Sequence, residues 1–294
     1  MASLKEIKGR IASIQNTQKI TSAMRMVASA KLHHTQGLTE KFLHYRDELQ
    51  TILECLGGGD ISAHTERMDE KTEEKKRVKS VLLIPVSSNS GLCGAFNSNI
   101  TKATLQRIQE LNQQGTQVCL LPIGKKIAHD LKNKGVDCNT DYINLIETME
   151  KEKAFAKVSV LVEFAQQLQQ SGKIDQVEFI YHHFKSMGTQ VITNTPLHLT
   201  TPQIQAKGDE HYLTEPAPQE LLTNLFPRLL NAQAYGILLD SLTSEHAARM
   251  LAMQTADDNA NELLKELRLL YNKTRQQAIT NELIDIMGGQ SGKN

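Results

Sequence analysis

The stretch RMLAMQTADDNANELLKELRLLYNKTRQQA, residues 249–278, decides the fold class of this chain. Apolar or small side chains recur in it at steps of three, four or their sums, which is typical of a helical seam with a repeat near 3.5 residues. The seam positions are Met250, Met253, Ala260, Leu264, Leu267, Tyr271, Thr274 and Ala278. Strong helix formers fill the positions between them. The pattern predicts one long helix from about Gln219 to Met287.

Pro227 interrupts the first turns of this predicted helix, within LLTNLFPRLLNAQ at 221–233. Proline has no backbone N–H, and its ring clashes with the preceding turn of a helix. We therefore expect a bend at this position, or a break that separates the first turns.

The N-terminal end carries the same kind of pattern. Apolar residues recur there at steps of three and four, pause in QNTQK (15–19), thin out in KLHHTQG (31–37) and stop before GGG at 57–59. The predicted stripe is Leu4, Ile7, Ile11, Ile14, Ile20, Met24, Val27, Leu38, Phe42, Tyr45, Leu49, Ile52 and Leu56. Such steps place side chains on one face of a helix, so a second long helix is predicted.

The two predicted helices are too long for a small domain to cover. At about 1.5 Å per residue they would span roughly 80 and 100 Å. An ordinary helix of a globular protein is much shorter, with only about 11 residues. Each has a narrow apolar stripe, and burying the stripes against one another gives an antiparallel coiled coil.

The middle of the chain follows another pattern. Apolar segments at 78–86, 116–124 and 176–184 read as buried strands, and helical segments near 97–114, 124–134 and 148–171 alternate with them. This alternation predicts a small, Rossmann-like α/β domain. The fold class is thus α/β plus long α, with five segments: an N-terminal coiled-coil helix (1–58), a charged linker (59–77), the inserted α/β domain (78–204), a second linker (205–218) and a C-terminal coiled-coil helix (219–288).

Composition excludes several classes of function. Thirty-three basic residues balance thirty-three acidic ones, so no global field attracts nucleic acid or anionic lipid. The four cysteines form no C-x-x-C pair, which favours reduced thiols in a cytosolic protein. No signal-peptide core and no window of eighteen apolar residues occurs in the sequence, so we expect a chain that crosses no membrane alone.

The loop SGLCGAFNS (90–98) is the strongest candidate for a chemical site. It lacks the spacing and the lysine of a Walker A loop, and it lacks the third glycine of a dinucleotide fingerprint. A tight turn before a helix is the preferred interpretation, and an anion held by backbone N–H groups is the alternative.

The histidines offer no better site. His182 and His183 alternate faces on a strand, so at most one points inward, and His33 and His34 lie on adjacent helix faces. No nucleophile–histidine motif occurs either. The sequence predicts no catalytic residue, no metal ligand and no bound cofactor.

Three blocks of sequence, in order, resemble the gamma subunit of F-type ATP synthases. They are IKGRIASIQNTQKITSAMRMVASAKL (7–32), GLCGAFNSN (91–99) and the segment from SEHAARML to IDIMGG (244–289). The resemblance spans the whole chain, and the middle, 115–215, matches mainly by position.

The resemblance implies a rotor. The coiled coil would be the axle inside a ring of alpha and beta subunits, and the α/β domain would be part of the foot on the membrane rotor ring. The epsilon subunit would be a further partner. Catalysis would belong to the beta subunits, and this chain would bind neither nucleotide nor nucleic acid. Its place would be the cytoplasmic face of a bacterial membrane, as a peripheral protein.

The resemblance also implies which residues contact the ring. They are Met24, Arg249, Gln276, Thr280 and Glu282. From the residues alone, Met24 could equally belong to the seam, and the other four to a solvated helix face. The chain departs from the family at Asn89 and Ser90, where an acidic and then a basic residue are common, and at Pro227. Two alternatives stay open: a coiled-coil scaffold, and an ATP-dependent enzyme with a helical arm.

Overall fold

A computed structural model describes residues 3–57, 78–151, 153–199 and 215–291. The predicted linker 59–77, and residues 205–214 of the second one, lie outside these ranges. The chain divides into two compact units, and each is described by itself. Unit 1 comprises Met1–Ser29 with Arg249–Asn294, and unit 2 comprises Ala30–Ala248.

Both predicted long helices are present. Helix α1 runs over Leu4–Gly57 and helix α5 over Pro218–Ser291. A capping box begins α1, because the Glu6 N–H donates to Ser3 Oγ at 3.2 Å and the Ser3 N–H donates to Glu6 Oε2 at 2.9 Å. Pro227 lies inside α5, which continues through it, so the first turns are not split off. The bend at Pro227 stays a prediction.

Unit 2 contains a four-stranded sheet. In chain order its elements are β1 (Ser80–Pro85), α2 (Phe96–Gln113), β2 (Gln117–Leu120), α3 (Lys125–Asn133), a 3₁₀ turn (Leu145–Thr148), α4 (Ala154–Gln170), β3 (Gln176–Ser186) and β4 (Thr189–Leu197). The strand order is β2-β1-β3-β4. Strand β1 is parallel to β2 and β3, and β4 is antiparallel to β3. The three predicted strands and three predicted helices of this domain are confirmed.

Strand β4 was not predicted from the sequence. It is an edge strand with the sequence TQVITNTPL, and most of its side chains are exposed. A solvated edge strand needs no apolar run, and proline is tolerated there, so the usual strand signal is weak.

Helices cover both faces of the sheet, which explains the continuous burial of β1. On one face, Leu83 and Ile180 pack with Ile100 of α2 and Ile127 of α3. On the other face, side chains of β1 and β3 join a larger core with α4 and α5. The domain is therefore a three-layer α/β structure.

The two long helices pair antiparallel in each unit. In unit 1, Gln18 bonds to Asn261 and Arg25 bonds to Gln254, so the partner number falls as the α1 number rises. In unit 2, the ring of Phe42 lies 4.7 Å from that of Tyr235. Further along α1, residues Leu49, Leu53 and Leu56 form a cluster with Leu222, Leu229 and Ala232 of α5. These α5 residues have lower numbers than Tyr235, as an antiparallel pair requires. The predicted pairing is confirmed.

The predicted seam of α5 is also confirmed. Met253, Ala260 and Leu264 are buried, and the other five predicted positions are half-buried. The predicted stripe of α1 was wrong at four positions, because Ile20, Val27, Tyr45 and Ile52 are exposed. The residues that keep the repeat in unit 1 are Ile7, Ile11, Ile14, Gln18, Thr21, Arg25 and Ala28. The polar stretch 15–19 is thus part of the seam and not a gap in it.

Candidate partner-binding surface

The predicted contact residues all lie in unit 1. Met24 and Arg249 are half-buried, whereas Gln276, Thr280 and Glu282 are exposed. At 1.5 Å per residue, Gln276 lies about 40 Å further along α5 than Arg249, so these residues cannot form one compact site.

Within this set, Gln276 and Thr280 lie on the same face of α5, one turn apart. The Thr280 hydroxyl donates to the Gln276 carbonyl oxygen at 2.9 Å, and both side chains are exposed. Glu282 follows Thr280 by two residues and so lies on a different side of the helix.

Unit 1 also exposes large apolar side chains outside the seam. They are Ile20, Met26, Val27, Leu251, Leu263, Leu269, Leu270, Ile279, Leu283 and Ile284. Burying apolar area is favourable at about 25 cal/mol per Å², so a partner chain that covered these side chains would be stabilised by them. The signal for it was in the sequence, as apolar residues out of phase with the seam, but Ile20 and Val27 were assigned to the seam instead.

Charged residues lie inside the seam next to Met24. Arg25 donates through NH1 to Gln254 Oε1, and the same nitrogen lies 3.7 Å from Asp257 Oδ2. Asp257 is buried, and its Oδ1 has no hydrogen-bond partner among the described residues. A polar pair in a coiled-coil seam lowers stability but specifies one register, because any shift leaves buried charge without a partner.

In unit 2, the loop between β1 and α2 serves as the cap of helix α3. The N–H of Lys125 donates to Asn89 Oδ1 at 2.8 Å, that of Lys126 to the Ser88 carbonyl at 3.2 Å, and that of Ile127 to Ser87 Oγ at 3.0 Å. These are the first N–H groups of the helix, which have no partner within it. The loop thus occupies the position where an anion would bind at α3.

The same loop is held closed by Asn97 of α2. Its Oδ1 accepts from the Ser88 N–H at 3.1 Å, and its Nδ2 lies 3.1 Å from the Cys93 sulfur. Leu92 has a φ of 63°, a conformation that is unusual outside glycine, and its side chain is exposed. Internal bonding of this kind supports the interpretation of the loop as a structural turn.

Asn89 also binds a side chain outside the loop. Its Nδ2 donates to Glu147 Oε1 at 2.8 Å, and Lys125 Nζ lies 2.8 Å from the same oxygen. The hydrogen bond and the charge of Lys125 hold the pKa of Glu147 below its usual value. Asn89 therefore links Glu147 to the start of α3 without forming a salt bridge itself.

Of the two adjacent histidines, only His182 points inward, which agrees with the prediction that at most one of them would. It is 2% exposed and stacks on Phe96, with ring centroids 4.1 Å apart. Burial lowers the pKa of His182 to about 4, so the ring is neutral near pH 7. His183 is exposed, with Nδ1 2.6 Å from Asp240 Oδ2. Within the described ranges, no group of three or more His, Cys, Asp or Glu residues could hold a metal ion.

The described residues thus form an antiparallel pair of long helices, with apolar side chains outside its seam, and an α/β sheet, which is an architecture suited to binding partner chains. A family model described as ATP synthase matches residues 3–292. The ATP synthase gamma chain of Parabacteroides distasonis is 50% identical over 98% of this chain and 98% of its own length, and that of Bacteroides fragilis is 45% identical over 98% and 99%. The chain belongs to the ATP synthase gamma-chain family.

Solved structures agree with this assignment. The chain matches the central stalk of Tetrahymena thermophila mitochondrial ATP synthase with a TM-score of 0.53 and 25% identity, over 81% of this chain and 99% of that one. A chain of the Euglena gracilis mitochondrial ATP synthase shares the fold, with a TM-score of 0.65 and 16% identity, over 98% and 94%.

As a gamma chain, the protein is a central-stalk subunit and a non-catalytic component of an ATP synthase, which is a membrane-associated complex. None of the helices in the described ranges is both long and apolar enough to span a membrane. Neither a scaffold nor an ATP-dependent enzyme is needed to explain the chain.

Proposed function

We propose that this chain is the rotor of its complex, and that the helix pair of unit 1 turns inside a ring of alpha and beta subunits. The observation that carries the proposal is the apolar outer surface of that pair. Its side chains lie outside the seam, so the partner helix does not bury them, and an enclosing ring would do so.

Coupling follows from the unequal faces of the pair. The two helices differ in sequence, so each beta subunit of the ring meets a different set of contacts. The conformation of a beta subunit that makes better contacts with the helix pair is more populated, and the nucleotide affinity of that subunit changes with its conformation. Rotation then exchanges these affinities among the beta subunits, and the chemistry stays in those subunits, with no nucleotide bound by this chain.

The contacts proposed for the ring are Met24, Arg249, Gln276, Thr280 and Glu282. Methionine gives adaptable apolar contact, and arginine and glutamate give charge-assisted hydrogen bonds that can be exchanged during rotation. The exposure of Gln276, Thr280 and Glu282 supports this role, because exposed side chains can meet a partner without a change in the helix pair.

The α/β domain of unit 2 would form part of the foot, in contact with the epsilon subunit and the membrane rotor ring. The match to a mitochondrial central stalk supports a position between ring and membrane. The bacterial gamma chains that resemble this protein support a peripheral location on the cytoplasmic face of the cell membrane.

Reconstitution with the alpha and beta subunits of the same complex tests the proposal. We expect one copy of the chain per ring, and ATP hydrolysis that depends on it. A monodisperse dimer that ignores the ring would contradict the rotor role.

A matched pair of variants tests the contact residues. Arg249→Ala should leave the unfolding temperature nearly unchanged and lower the coupling between hydrolysis and ion transport. Arg228→Ala removes the same side chain from an exposed position of α5 in unit 2, and it should change neither quantity. A large loss of thermal stability in Arg249→Ala alone would show that Arg249 packs within the helix pair instead.

A further inference from the structure

Strand β3 extends beyond the end of its neighbour β1. The two strands pair from Val81 with Gln176 to Pro85 with Ile180, and the last bond between them joins the Val86 N–H to the Ile180 carbonyl at 2.9 Å. Strand β3 continues to Ser186. Since backbone groups two residues apart point to the same edge, those of His182 and Phe184 face the side that β1 no longer covers.

Two side chains of helix α5 take the place of the missing strand. Ser244 Oγ donates to the His182 carbonyl at 2.9 Å, and the Phe184 N–H donates to Asp240 Oδ1 at 2.9 Å. Asp240 and Ser244 are four residues apart, so they lie one turn apart on one face of α5. We call these two bonds the edge contact.

The surroundings make the edge contact directional. Ser244 and His182 are buried, so the His182 carbonyl would lack a hydrogen-bond partner if the helix moved, whereas Phe184 is half-buried. The segment from Ser241 to Ala247 is buried at every position, in contrast to the rest of α5. Apolar packing around this segment is non-directional, so packing alone does not fix the position of the helix along or around its axis. The two hydrogen bonds of the edge contact are directional, and they would break if the helix slid or turned.

A second polar group ties both long helices to the same domain. Glu150 precedes α4, and its carboxylate lies 2.9 Å from Lys31 Nζ of α1 and 3.1 Å from His246 Nε2 of α5. Burial alone would raise the pKa of Glu150, but hydrogen bonds and charge from Lys31 and His246 outweigh it and leave that pKa below its usual value. The Glu150 carboxylate is thus ionised when it contacts Lys31 and His246.

We propose that Asp240 and Ser244 are positioning residues that carry torque between the α/β sheet and helix α5. The proposal rests on the rotor function proposed above. In a rotor, a load on the foot domain must turn the helices. The edge contact and the contact of His183 with Asp240 link β3 to α5 by hydrogen bonds, and these bonds resist relative movement of the two.

Single-molecule rotation of the assembled complex tests this role. The ring is fixed to a surface, and a bead is attached to the exposed Cys119 on β2. The angular variance of the bead during pauses measures the torsional stiffness between the sheet and the ring. For Asp240→Ala/Ser244→Ala we expect the variance to rise about twofold, because the hydrogen bonds to the His182 carbonyl and the Phe184 N–H are then lost.

Three further variants make the result specific. Ser244→Ala alone removes one hydroxyl and replaces the double variant if the double variant does not assemble. Its angular variance should rise above the wild-type value, but by less than twofold. Asp240→Asn keeps an acceptor for the Phe184 N–H and should restore most of the stiffness. Ser159→Ala, whose hydroxyl bonds within its own helix to the Phe155 carbonyl at 3.1 Å, should leave the variance at the wild-type value.

Two failures of this experiment are distinguishable. A wild-type chain that does not rotate contradicts the rotor function. A wild-type chain that rotates, with Ser244→Ala and the double variant as stiff as wild type, overturns the role of the edge contact alone.

Discussion

Gln18 of α1 donates its side-chain amide to Asn261 Oδ1 of α5 across a distance of 2.8 Å. Two turns away, Arg25 reaches Gln254 and Asp257 across the same helix pair. The contact of Arg25 with the buried Asp257 favours this alignment of the two helices, because a shift would leave the carboxylate without its charged partner. The register of the unit 1 pair therefore depends on residues that a search for apolar repeats passes over.

Arg25→Met should lower the free energy of unfolding by about 1–2 kcal/mol, because it leaves the buried carboxylate of Asp257 without its charged partner. Arg25→Met/Asp257→Leu should recover the loss, since an apolar layer replaces the whole pair. Guanidinium chloride unfolding, followed by helical circular dichroism, measures both. A double variant less stable than Arg25→Met would show that Asp257 does not depend on Arg25.

Two adjacent leucines give a matched test of the seam. Leu264 is 5% exposed and Leu263 is 48% exposed. Leu264→Asp should cost about 3 kcal/mol or more, because a charge enters the apolar seam. Leu263→Asp should leave thermal unfolding nearly unchanged but weaken assembly with the ring, and Leu267→Asp, at a half-buried position, should fall between the two in stability. Equal losses of stability at 263 and 264 would contradict the assigned seam.

The buried carboxylate of Glu178 supports the sheet in a different way. It accepts from Arg107 Nε at 2.9 Å and NH2 at 2.8 Å, and from Asn194 Nδ2 at 2.7 Å. The hydrogen bonds to Glu178 raise the pKa of Arg107 further above its ordinary value. Since the pair links α2 to β3 and β4, Glu178→Ala should cost about 3 kcal/mol.

A control for Glu178 exists on the same arginine. Glu110 also accepts from Arg107, at 3.2 Å, but on the surface of α2. Glu110→Gln should leave the unfolding midpoint nearly unchanged, because exposed ion pairs are screened by water. If the two variants lost the same stability, burial would not be what makes Glu178 important.

His182 gives the α/β domain a pH dependence with a defined sign. The unfolded ring has a pKa near 6.5, and burial lowers the pKa of His182 in the folded state to about 4. Above pH 6.5 both states are neutral and stability is full. As the pH falls from 6.5 to 4, only the unfolded state gains the proton. The contribution of His182 to the free energy of unfolding therefore falls by about 3 kcal/mol, and it is constant below pH 4.

Comparison with His182→Gln isolates this contribution. Unfolding free energies at a series of pH values should fall less steeply for the variant between pH 6.5 and 4. His33→Gln, at an exposed position of α1, should keep the wild-type slope. A His182→Gln slope equal to wild type would mean that other groups carry the acid dependence.

The correctly predicted elements are those in which apolar residues recur regularly and are buried. The α5 seam from Met250 to Ala278 was identified at every position, since helix formers and a regular repeat occur together there. Ile20 and Val27 were misplaced because Gln18 and Arg25 hold the seam through side-chain bonds that a hydropathy pattern does not contain. Strand β4 was missed because a solvated edge strand buries few apolar residues.

The links between distant parts of the chain were not predictable. Asn89 and Asp240 each bond to backbone groups far away in the sequence, and nothing in their local sequence indicates the partner. The predicted ring contacts came from the family resemblance and stay predictions; Gln276, Thr280 and Glu282 are exposed, and Met24 and Arg249 are half-buried. The segment boundaries at 58, 77, 204 and 218 likewise stay predictions.

Rotation of the chain within its ring tests the central claim most directly. With the alpha and beta subunits immobilised and a bead on Cys119, the account predicts stepwise rotation in one direction, dependent on ATP. The rate should follow ATP concentration. ATP hydrolysis at the normal rate, with a bead that only fluctuates about one angle, would contradict it.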